Sequence, residues 1–591
     1  MATLKNKSLL FLFTVCACLF FFSCQKDIDY INIDGQGPDL ITKVSSSVSG
    51  FVTDENNAAV AGASVSAGGS NTTTNKFGFF EIKNIQVIKN AATVKVTRPG
   101  YFNAVKTYIA ADNKAASFRI KLVPKTIIGN INASSGGSIS LPDGFGISLP
   151  ANAVVNASSN VAYTGTINVT AQRVDPTATD FISSLPGDMR GIGTDGVLKL
   201  LKGYGLAAVE LTGASGELLQ IASGKKATLT LPIPNSLSST APASIPLWYF
   251  DEATGLWKEQ GSATRTGNSY VGDVSHFSWW YMGFPGPYIQ FNCTVKDQAG
   301  NPLECFMTVT MQGNPGGIYG FGTADAGGYL SGPIPANSAL TLSFYMNYYT
   351  CPILMQNITT TNTDLSLGDI AIDLGPSAVH VSGTVTNCSN APVTNGYIFL
   401  QYGVQYNRYP VSNTGAFNFT TTFCSNPSIV NIIAEDQDNL QYSTPSTYTL
   451  SGGNNSIGNI VACGNQVQEY MNYTINGNAN HLINPPDYVS QNYSFPGSLF
   501  LSGYQNNTAS YLYIGMSHPN FAPNVVANLT NVICSQVSDS MYISTPIPVN
   551  ITEYGNIGEH ISGNFAGTMT SFTNPSITYN MTCNFRIRRD Q

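Results

Sequence analysis

Charged side chains are scarce in this sequence. Asp, Glu, Lys and Arg make up 10% of the 591 residues, whereas an ordinary soluble protein has roughly 25%. The small imbalance is acidic, with a formal net charge of −7. Because nucleic acids and anionic membrane surfaces attract clustered Lys and Arg, this balance argues against a nucleic-acid partner and against a basic membrane-binding patch.

Long apolar runs and helical periodicity are also missing. Beyond residue 23 no apolar stretch approaches the length of a membrane-spanning helix. Apolar residues instead alternate with Ser, Thr and Asn, and Gly (56), Tyr (30) and Phe (30) are abundant. Alternation between Gly-marked turns is typical of short strands. We therefore predict an all-β fold, and the chain length predicts about four or five domains.

The common catalytic motifs are not found. The sequence has no G-x-S-x-G elbow, no H-E-x-x-H zinc motif, no phosphate-binding loop and no dinucleotide-binding G-x-G-x-x-G before a helix. The cysteines lack C-x₂-C spacing, and no histidine lies near them at ligand spacing. These features predict a protein that is not an enzyme and that binds no metal or cofactor.

The beginning of the chain has the pattern of an export signal. Lys5 and Lys7 precede the apolar run 9–22, which is too short to remain in the bilayer as a helix. Ser23-Cys24 follows, and a small residue before a cysteine marks the cleavage site of a lipoprotein signal peptidase.

This start resembles that of bacterial surface lipoproteins. The resemblance implies removal of residues 1–23, lipidation of Cys24 and stable membrane anchoring by its acyl chains. Residues 24–45 would then form a flexible tether. The implied location is the outer membrane, with the protein facing outward. An ordinary secretory signal is the alternative.

Eight cysteines lie outside the signal. Their even number in an exported chain predicts disulfides, although spacing does not choose the pairing. Three fall in each of two candidate domains, so a bridge between those domains is expected. The pair Cys534–Cys583 is our first guess. The eight are Cys293, Cys305, Cys351, Cys388, Cys424, Cys463, Cys534 and Cys583.

Residues 46–124 carry a recognisable order of motifs. Val-Ser-Gly-Phe-Val-Thr-Asp occupies 48–54, Phe-Gly-Phe-Phe occupies 77–80 and Gly-Tyr occupies 100–101. This order resembles the carboxypeptidase regulatory-like domain, a transthyretin-like sandwich of seven strands. The resemblance implies a spacer or binding module, because the peptidase itself would need a separate zinc domain.

The same pattern returns at 288–374, with Phe-Asn-Cys-Thr-Val, and at 378–464, with Val-Ser-Gly-Thr-Val. Repetition at domain length indicates a tandem array of Ig-like or transthyretin-like β-sandwiches, each with its own core. Such an array serves as a stalk, as a multivalent binder or simply as a spacer.

The segment 126–284 differs from these repeats. It opens on Gly-Ile-Ser-Leu-Pro-Ala-Asn-Ala at 146–153, which resembles the ZU-type β-module of scaffold proteins and netrin receptors. All four tryptophans fall between 248 and 280, and this window resembles an extracellular domain of cartilage intermediate layer protein.

Residues 465–591 form a last β-rich unit without a family resemblance.

The sharpest local signal for chemistry is His276-Phe277-Ser278. Autoproteolytic relatives of the ZU module cut themselves at a His-x-Ser triplet. By that resemblance the Ser278 hydroxyl attacks the preceding carbonyl with His276 as base, and the Phe277–Ser278 bond breaks. The alternative is that the triplet belongs to the last core strand of its domain.

Two groups of tyrosines and one acidic turn are candidates for binding. Tyr345/Tyr348/Tyr349 and Tyr402/Tyr406/Tyr409 would stack against sugars if exposed, or else they are half-buried strand residues. The turn 435–439 is expected to be exposed.

We therefore predict a non-catalytic, lipid-anchored surface protein that acts as an adhesin-like or scaffold protein toward a protein or glycan partner. Two alternatives are a glycan-binding lipoprotein of a polysaccharide-uptake system and an autoproteolytic switch.

Overall fold

The structure is a computed structural model. It describes residues 38–589 apart from 99, 314–316, 347–350, 440, 465–468, 485–486, 496, 506–510, 536, 538–540 and 556–559. Nearly all regular structure is strand, which confirms the all-β class and the array of β-sandwiches. The described helices are α1 (Phe181–Ser184) and two 3₁₀ turns (Asn235–Thr240 and Gly375–Ser377).

The first sandwich has seven strands in two sheets, β4-β1-β7 and β3-β2-β5-β6. Alternate side chains of each sheet meet in one core that includes Val48, Val52 and Phe80. The strands are β1 (Lys43–Thr53), β2 (Ser64–Ala67), β3 (Ser70–Thr73), β4 (Phe79–Ile88), β5 (Ala92–Thr97), β6 (Ala104–Tyr108) and β7 (Lys114–Lys121).

The second unit, the tryptophan domain, is one large sheet of thirteen strands that folds around two cores. Trp248, Trp257 and Trp280 are fully buried. The strands are β8 (Ile127–Asn132), β9 (Gly137–Ser140), β10 (Gly146–Leu149), β11 (Val154–Asn156), β12 (Thr166–Val174), β13 (Arg190–Ile192), β14 (Leu198–Thr212), β15 (Leu218–Ile221), β16 (Ala227–Pro232), β17 (Ser244–Asp251), β18 (Leu256–Thr266), β19 (Ser269–Val274) and β20 (Trp279–Gly286).

The second sandwich repeats the topology of the first, with sheets β24-β21-β27 and β23-β22-β25-β26. In both sandwiches the first strand runs parallel to the last: β1 to β7 in the first sandwich, and the corresponding strands in the second. The strands are β21 (Tyr288–Asp297), β22 (Phe306–Met311), β23 (Gly320–Thr323), β24 (Tyr329–Pro335), β25 (Ala339–Tyr345), β26 (Leu354–Thr359) and β27 (Leu365–Ile372).

The third sandwich has the same order, β31-β28-β35 facing β30-β29-β32, with β33 and β34 both pairing β32. The strands are β28 (Val379–Asn387), β29 (Gly396–Tyr402), β30 (Gln405–Pro410), β31 (Ala416–Thr421), β32 (Ser428–Asp436), β33 (Gln441–Tyr442), β34 (Ser446–Leu450) and β35 (Gly453–Ala462).

The glycine of the first-strand motif has a steric role. Gly50 pairs with Phe80 on the neighbouring strand, and a Cβ at Gly50 would lie 2.9 Å from the Phe80 ring. Gly383 stands opposite Phe417 in the third sandwich, where a Cβ would also meet the Phe417 ring. In the second sandwich Cys293 takes this position, and its partner is the smaller Leu330. At both glycines a backbone carbonyl oxygen of the other neighbouring strand, from Phe118 or Gly458, also approaches closely, so a Cβ has no room on either side.

The C-terminal domain is an antiparallel sheet of ten strands around one core. Its side chains alternate between that core and the outer face. The strands are β36 (Glu469–Ile475), β37 (Asn478–Asn484), β38 (Tyr488–Phe495), β39 (Ser498–Tyr504), β40 (Tyr511–Ser517), β41 (Val525–Cys534), β42 (Met541–Tyr542), β43 (Pro548–Tyr554), β44 (His560–Ser571) and β45 (Thr578–Arg588).

The first sandwich contacts all the other domains. It shares a core with the tryptophan domain and an aromatic cluster with the third sandwich. Lys114 lies over the ring of Tyr329 in the second sandwich, with the nitrogen 5.1 Å from the ring centroid. Gly62 lies against Arg588 of the C-terminal domain, since a Cβ at Gly62 would be 2.8 Å from Arg588 Nη1. The chain therefore folds back onto its first domain.

Candidate functional site

The triplet His276-Phe277-Ser278 lies in the short connection between β19 and β20. The imidazole of His276 packs edge-on against Tyr249, with centroids 4.7 Å apart, and beside Trp280 at 5.1 Å. Trp280 Nε1 donates to the His276 carbonyl at 3.1 Å. Burial lowers the pKa of His276, so the ring is neutral near pH 7 and forms part of an aromatic cluster.

The two atoms of the proposed cleavage reaction have other partners. The Ser278 hydroxyl donates to the Trp279 carbonyl at 3.2 Å, on the side away from Phe277. The Phe277 carbonyl accepts from Gln220 Nε2 at 3.3 Å, and the Phe277 amide donates to Gln220 Oε1 at 3.3 Å. Gln220 therefore holds both the amide and the carbonyl of Phe277 in place. Self-cleavage at this bond stays a prediction.

A cavity of about 240 Å³ lies beside this bond, between the first sandwich and the tryptophan domain. Phe277 and Ser278 form part of its wall. Lys125 and Glu210 also line it and form an ion pair of 2.8 Å.

The tyrosines singled out in the sequence that the structure describes are half-buried and pack against neighbouring rings. Tyr409 stacks on Phe419 with centroids 3.6 Å apart, and burial raises its pKa to about 12. Tyr402 packs on Phe423, and Tyr406 packs on Phe77 of the first sandwich. Tyr345 packs beside Phe306. Tyr348 and Tyr349 lie outside the described residues.

The most extensive candidate site is the junction between the first and third sandwiches. Its centre is Phe399, which is fully buried and stacks on Phe77 with centroids 4.3 Å apart. Phe51 and Phe79 surround the same ring edge-on, at 6.5 and 5.9 Å. Such edge-on and stacked pairs contribute beyond their buried area. These residues form a cluster outside the core of either sandwich.

Hydrogen-bonded charges border this aromatic junction. Glu81 accepts from the Tyr397 hydroxyl at 2.9 Å and pairs with Arg408 at 3.3 Å. The Arg408 guanidinium also lies over the rings of Phe79 and Tyr397, 4.7 Å from each centroid. Arg119 donates to the Tyr406 carbonyl at 2.7 Å. These contacts fix the orientation of the two sandwiches.

Glu435 is buried at this junction, which corrects the expectation that the whole turn 435–439 is exposed. Only 6% of Glu435 is accessible, because it lies on β32 where that strand packs near the first sandwich. Its Oε1 accepts from the Tyr442 hydroxyl at 2.7 Å, and its Oε2 is buried. Burial raises the pKa of Glu435 to about 7.

Lys106 joins the first sandwich to the tryptophan domain. It is 2% exposed and donates to the carbonyls of Ile182 and Leu185, both at 2.6 Å. Burial lowers the pKa of Lys106 to about 7. The Thr107 hydroxyl donates to the Gly255 carbonyl beside it. Sequence reasoning missed Lys106, since nothing in β6 distinguishes it from an exposed lysine.

Two disulfides join cysteines within the described residues. Cys388–Cys463 closes the third sandwich on itself, and Cys351–Cys424 joins the second sandwich to the third. The second bond is the expected bridge between domains.

Four of the eight candidate disulfide cysteines are unpaired in this structure. Cys293 and Cys305 are buried in the core of the second sandwich without a disulfide, and so are Cys534 and Cys583 in the C-terminal core. The first-guess pair Cys534–Cys583 is not formed, although both thiols lie in the same core. Burial raises the pKa of Cys293 to about 12, so this thiol is an apolar core side chain.

The lipidation residue Cys24 lies outside the described residues, as do the signal 1–23 and most of the tether 24–45. In the described part of the chain, no group of three His, Cys, Asp or Glu side chains is arranged to hold a metal ion. No helix among these residues is long and apolar enough to cross a membrane.

Comparison with protein families identifies one part of the chain. Residues 47–123 match the carboxypeptidase regulatory-like domain. This match covers the first sandwich and confirms the resemblance for that domain. Its seven strands are those of β1 to β7.

Curated relatives match over a short segment. Cartilage intermediate layer protein 2 of Homo sapiens is 30% identical over 110 residues, and that of Mus musculus is 31% identical over 106 residues. Each match covers 18% of this chain and 9% of the relative. The chain therefore shares one segment with these proteins and not their full length.

Solved structures with partial likeness include bacterial pilins. A mutant of the shaft pilin SpaA from Lactobacillus rhamnosus GG is 7% identical, with 30% of this chain and 99% of that chain covered and a TM-score of 0.17. BcpA, the major pilin subunit of Bacillus cereus, is 7% identical, with 71% and 100% covered and a TM-score of 0.11.

Proposed function

We propose that this chain is a non-catalytic, lipid-anchored surface protein that holds several β-domains in a fixed arrangement as an adhesin-like or scaffold protein. The observation that supports this most is the position of the first sandwich. Its aromatic, ionic and hydrogen-bonded contacts reach all the other domains. A domain that served only as a spacer would need contacts only with the segments directly before and after it in the chain.

The position of the anchor fits this role. The tether that follows Cys24 leads directly into β1 of the first sandwich. The first sandwich would therefore be the domain nearest to the membrane, and it is also the domain that contacts all the others. The third sandwich and the C-terminal domain, although late in the chain, would be held at defined positions above the membrane and presented to a protein or glycan partner.

The use of charged groups supports a structural role. The ion pairs Lys95–Glu252, Lys121–Asp180 and Arg408–Glu81 each join two domains, at 2.8, 2.7 and 3.3 Å. Catalytic sites instead collect perturbed titratable groups around a cleft. Here the perturbed groups Lys106 and Glu435 lie within domain contacts.

Metabolic labelling with an alkyne fatty acid tests the anchor in cells that make the native protein. We expect the wild type to carry the label and Cys24→Ser to lack it. Protease treatment of intact cells then tests exposure, with a periplasmic protein as control. A wild-type chain without label, or one protected until the cells are lysed, would contradict the proposal.

A further inference from the structure

The outer face of the C-terminal domain carries a row of three exposed tyrosines. Tyr488, Tyr504 and Tyr511 lie on the adjacent strands β38, β39 and β40. The register places Tyr504 directly opposite both of the others. Neighbouring ring centroids are 6.3 and 6.2 Å apart, and the residues are 44%, 50% and 36% exposed. The rings thus form one continuous line across the strands.

Packed side chains on the same face support this row. Phe500 and Tyr513 stack behind it, with centroids 5.8 Å apart and ring planes 20° from parallel. Between them and the row, the hydroxyls of Ser490 and Ser502 are 3.3 Å apart. The row is therefore built on paired strands, which hold a binding surface in place better than loops do. Exposed aromatic patches of this kind commonly mark interaction sites.

The chemistry of the row favours a sugar ligand. An aromatic ring has a negative face, and the C–H bonds on one side of a pyranose ring carry partial positive charge. A sugar therefore stacks on a tyrosine with complementary charge, and its hydroxyls hydrogen-bond to the exposed phenol hydroxyls of the row. The side chains of the row and of its supporting layer are all neutral, which fits a neutral sugar and not a polyanion.

We propose that Tyr488, Tyr504 and Tyr511 bind a neutral polysaccharide chain that runs across the strands. The ring centroids are 6.3 and 6.2 Å apart, so successive rings can contact successive sugar residues of one chain. This inference deepens the proposed function by naming the class of ligand that the displayed C-terminal domain takes.

The tilt of the rings restricts the form of the ligand. The planes of Tyr488 and Tyr504 differ by 43°, and those of Tyr504 and Tyr511 by 35°. A single chain in solution can twist to follow this tilt, whereas the flat face of a crystalline polysaccharide cannot. The site should therefore bind soluble chains and not insoluble crystalline cellulose.

Affinity electrophoresis of the purified chain tests this site without depending on the membrane anchor. The gels contain, one at a time, hydroxyethylcellulose, glucomannan, xylan, galactomannan or soluble starch, with polygalacturonate as the anionic comparison. We expect at least one neutral polysaccharide to retard the wild type. The triple variant Tyr488→Ala/Tyr504→Ala/Tyr511→Ala should migrate as in a gel without polysaccharide.

Two further variants separate binding from folding. Tyr504→Phe keeps the stacking ring and should keep most of the retardation, whereas Tyr504→Ala should weaken binding roughly threefold to tenfold. Phe572→Ala removes another aromatic of the same domain that is 72% exposed, and it should bind as the wild type does.

The proposal is overturned if none of the neutral polysaccharides retards the wild type, if the triple variant is retarded equally, or if only polygalacturonate binds. If the row instead binds a second protein, none of these polysaccharides should retard the wild type, and the sugar proposal would be contradicted. None of these results bears on lipidation or surface exposure, which the labelling and protease experiments measure separately.

Discussion

Phe77 of the first sandwich and Phe399 of the third stack with their ring centroids 4.3 Å apart and their planes 29° from parallel. Both rings are buried although neither belongs to the core of its own sandwich. Residues far apart in the chain therefore share an apolar cluster that only the association of the two domains creates. This contact makes the protein a packed group of domains and not a simple line.

The buried carboxyl of Glu435 predicts a pH dependence of stability. Its pKa rises to about 7 in the folded chain from 4.5, so the folded state binds more protons than the unfolded state between these values. The contribution of Glu435 to stability is therefore largest below pH 4.5, falls as pH rises, and reaches its full penalty above pH 7.

Glu435→Gln should accordingly stabilise the protein at pH 8, by about 3 kcal/mol at most, with little change at pH 4.5. Calorimetric melting at both pH values measures this difference. The exposed Glu55 offers a matched control, and Glu55→Gln should change neither. A Glu435→Gln variant that melts lower than the wild type at pH 8 would contradict the burial of this carboxyl.

Gly255 tests the contact between the first sandwich and the tryptophan domain. Its φ is +71°, and a Cβ there would lie 2.8 Å from Thr107 Oγ1 and would also meet the Thr93 methyl group. Both threonines belong to the first sandwich. Gly255→Ala should therefore destabilise the contact by about 1–3 kcal/mol through overpacking, and hydrogen exchange should increase in β5 and β6.

Gly224 provides the control for backbone strain. Its φ is +75°, but a Cβ at this position would meet nothing within 4 Å. Gly224→Ala should leave exchange in β5 and β6 unchanged. Equal exchange in both variants would mean that the two domains do not meet at Gly255.

The geometry around Ser278 predicts an intact chain. The Ser278 hydroxyl is engaged with Trp279, and Gln220 holds the Phe277 peptide groups. Denatured intact mass should show one species in the wild type and in Ser278→Ala. Two wild-type fragments that meet between Phe277 and Ser278, absent from Ser278→Ala, would instead establish self-cleavage.

The cysteines predict a specific alkylation pattern. In the denatured chain without reductant, iodoacetamide should modify Cys293, Cys305, Cys534 and Cys583, since these thiols form no disulfide. After reduction, Cys351, Cys388, Cys424 and Cys463 should become reactive as well. Peptide mapping identifies each site. Protection of Cys534 and Cys583 before reduction would restore the pair first suggested by the sequence.

The strands of the sandwiches could be predicted from sequence because their signal is local. Alternation and the Val-x-Gly-x-Val motif specify a first strand, and Gly50 is explained by two close neighbours, the Phe118 carbonyl oxygen and the Phe80 ring. In the second sandwich the same strand position holds Cys293, opposite Leu330.

Contacts between domains could not be predicted in this way. In the sequence Glu435 looks like part of a polar turn, and Lys106 looks like an ordinary strand lysine. Both are buried by other domains, and those contacts leave no signal in the local sequence. Tyr409 was a candidate for sugar stacking, yet it stacks on Phe419 inside its own domain. The exposed row of Tyr488, Tyr504 and Tyr511 was missed because the three residues become neighbours only through strand register.

Cross-linking across the junction tests the central claim, that the chain folds back onto its first sandwich. Asn57 of that sandwich and Val404 of the third line the same crevice. In native protein carrying Asn57→Cys and Val404→Cys, a short bismaleimide should link the two sites in most molecules, as measured by peptide mass. The natural unbonded cysteines are buried and should not compete.

The control pair combines Asn57→Cys with Phe572→Cys. Phe572 directly follows β44, at the opposite end of the β44–β45 hairpin from Arg588 and about 40 Å from it along the strand. We expect efficient linkage of residues 57 and 404 and none of 57 and 572. Absence of the 57–404 product, with both cysteines shown to be reactive, would contradict the packed arrangement and leave the domains in an extended line.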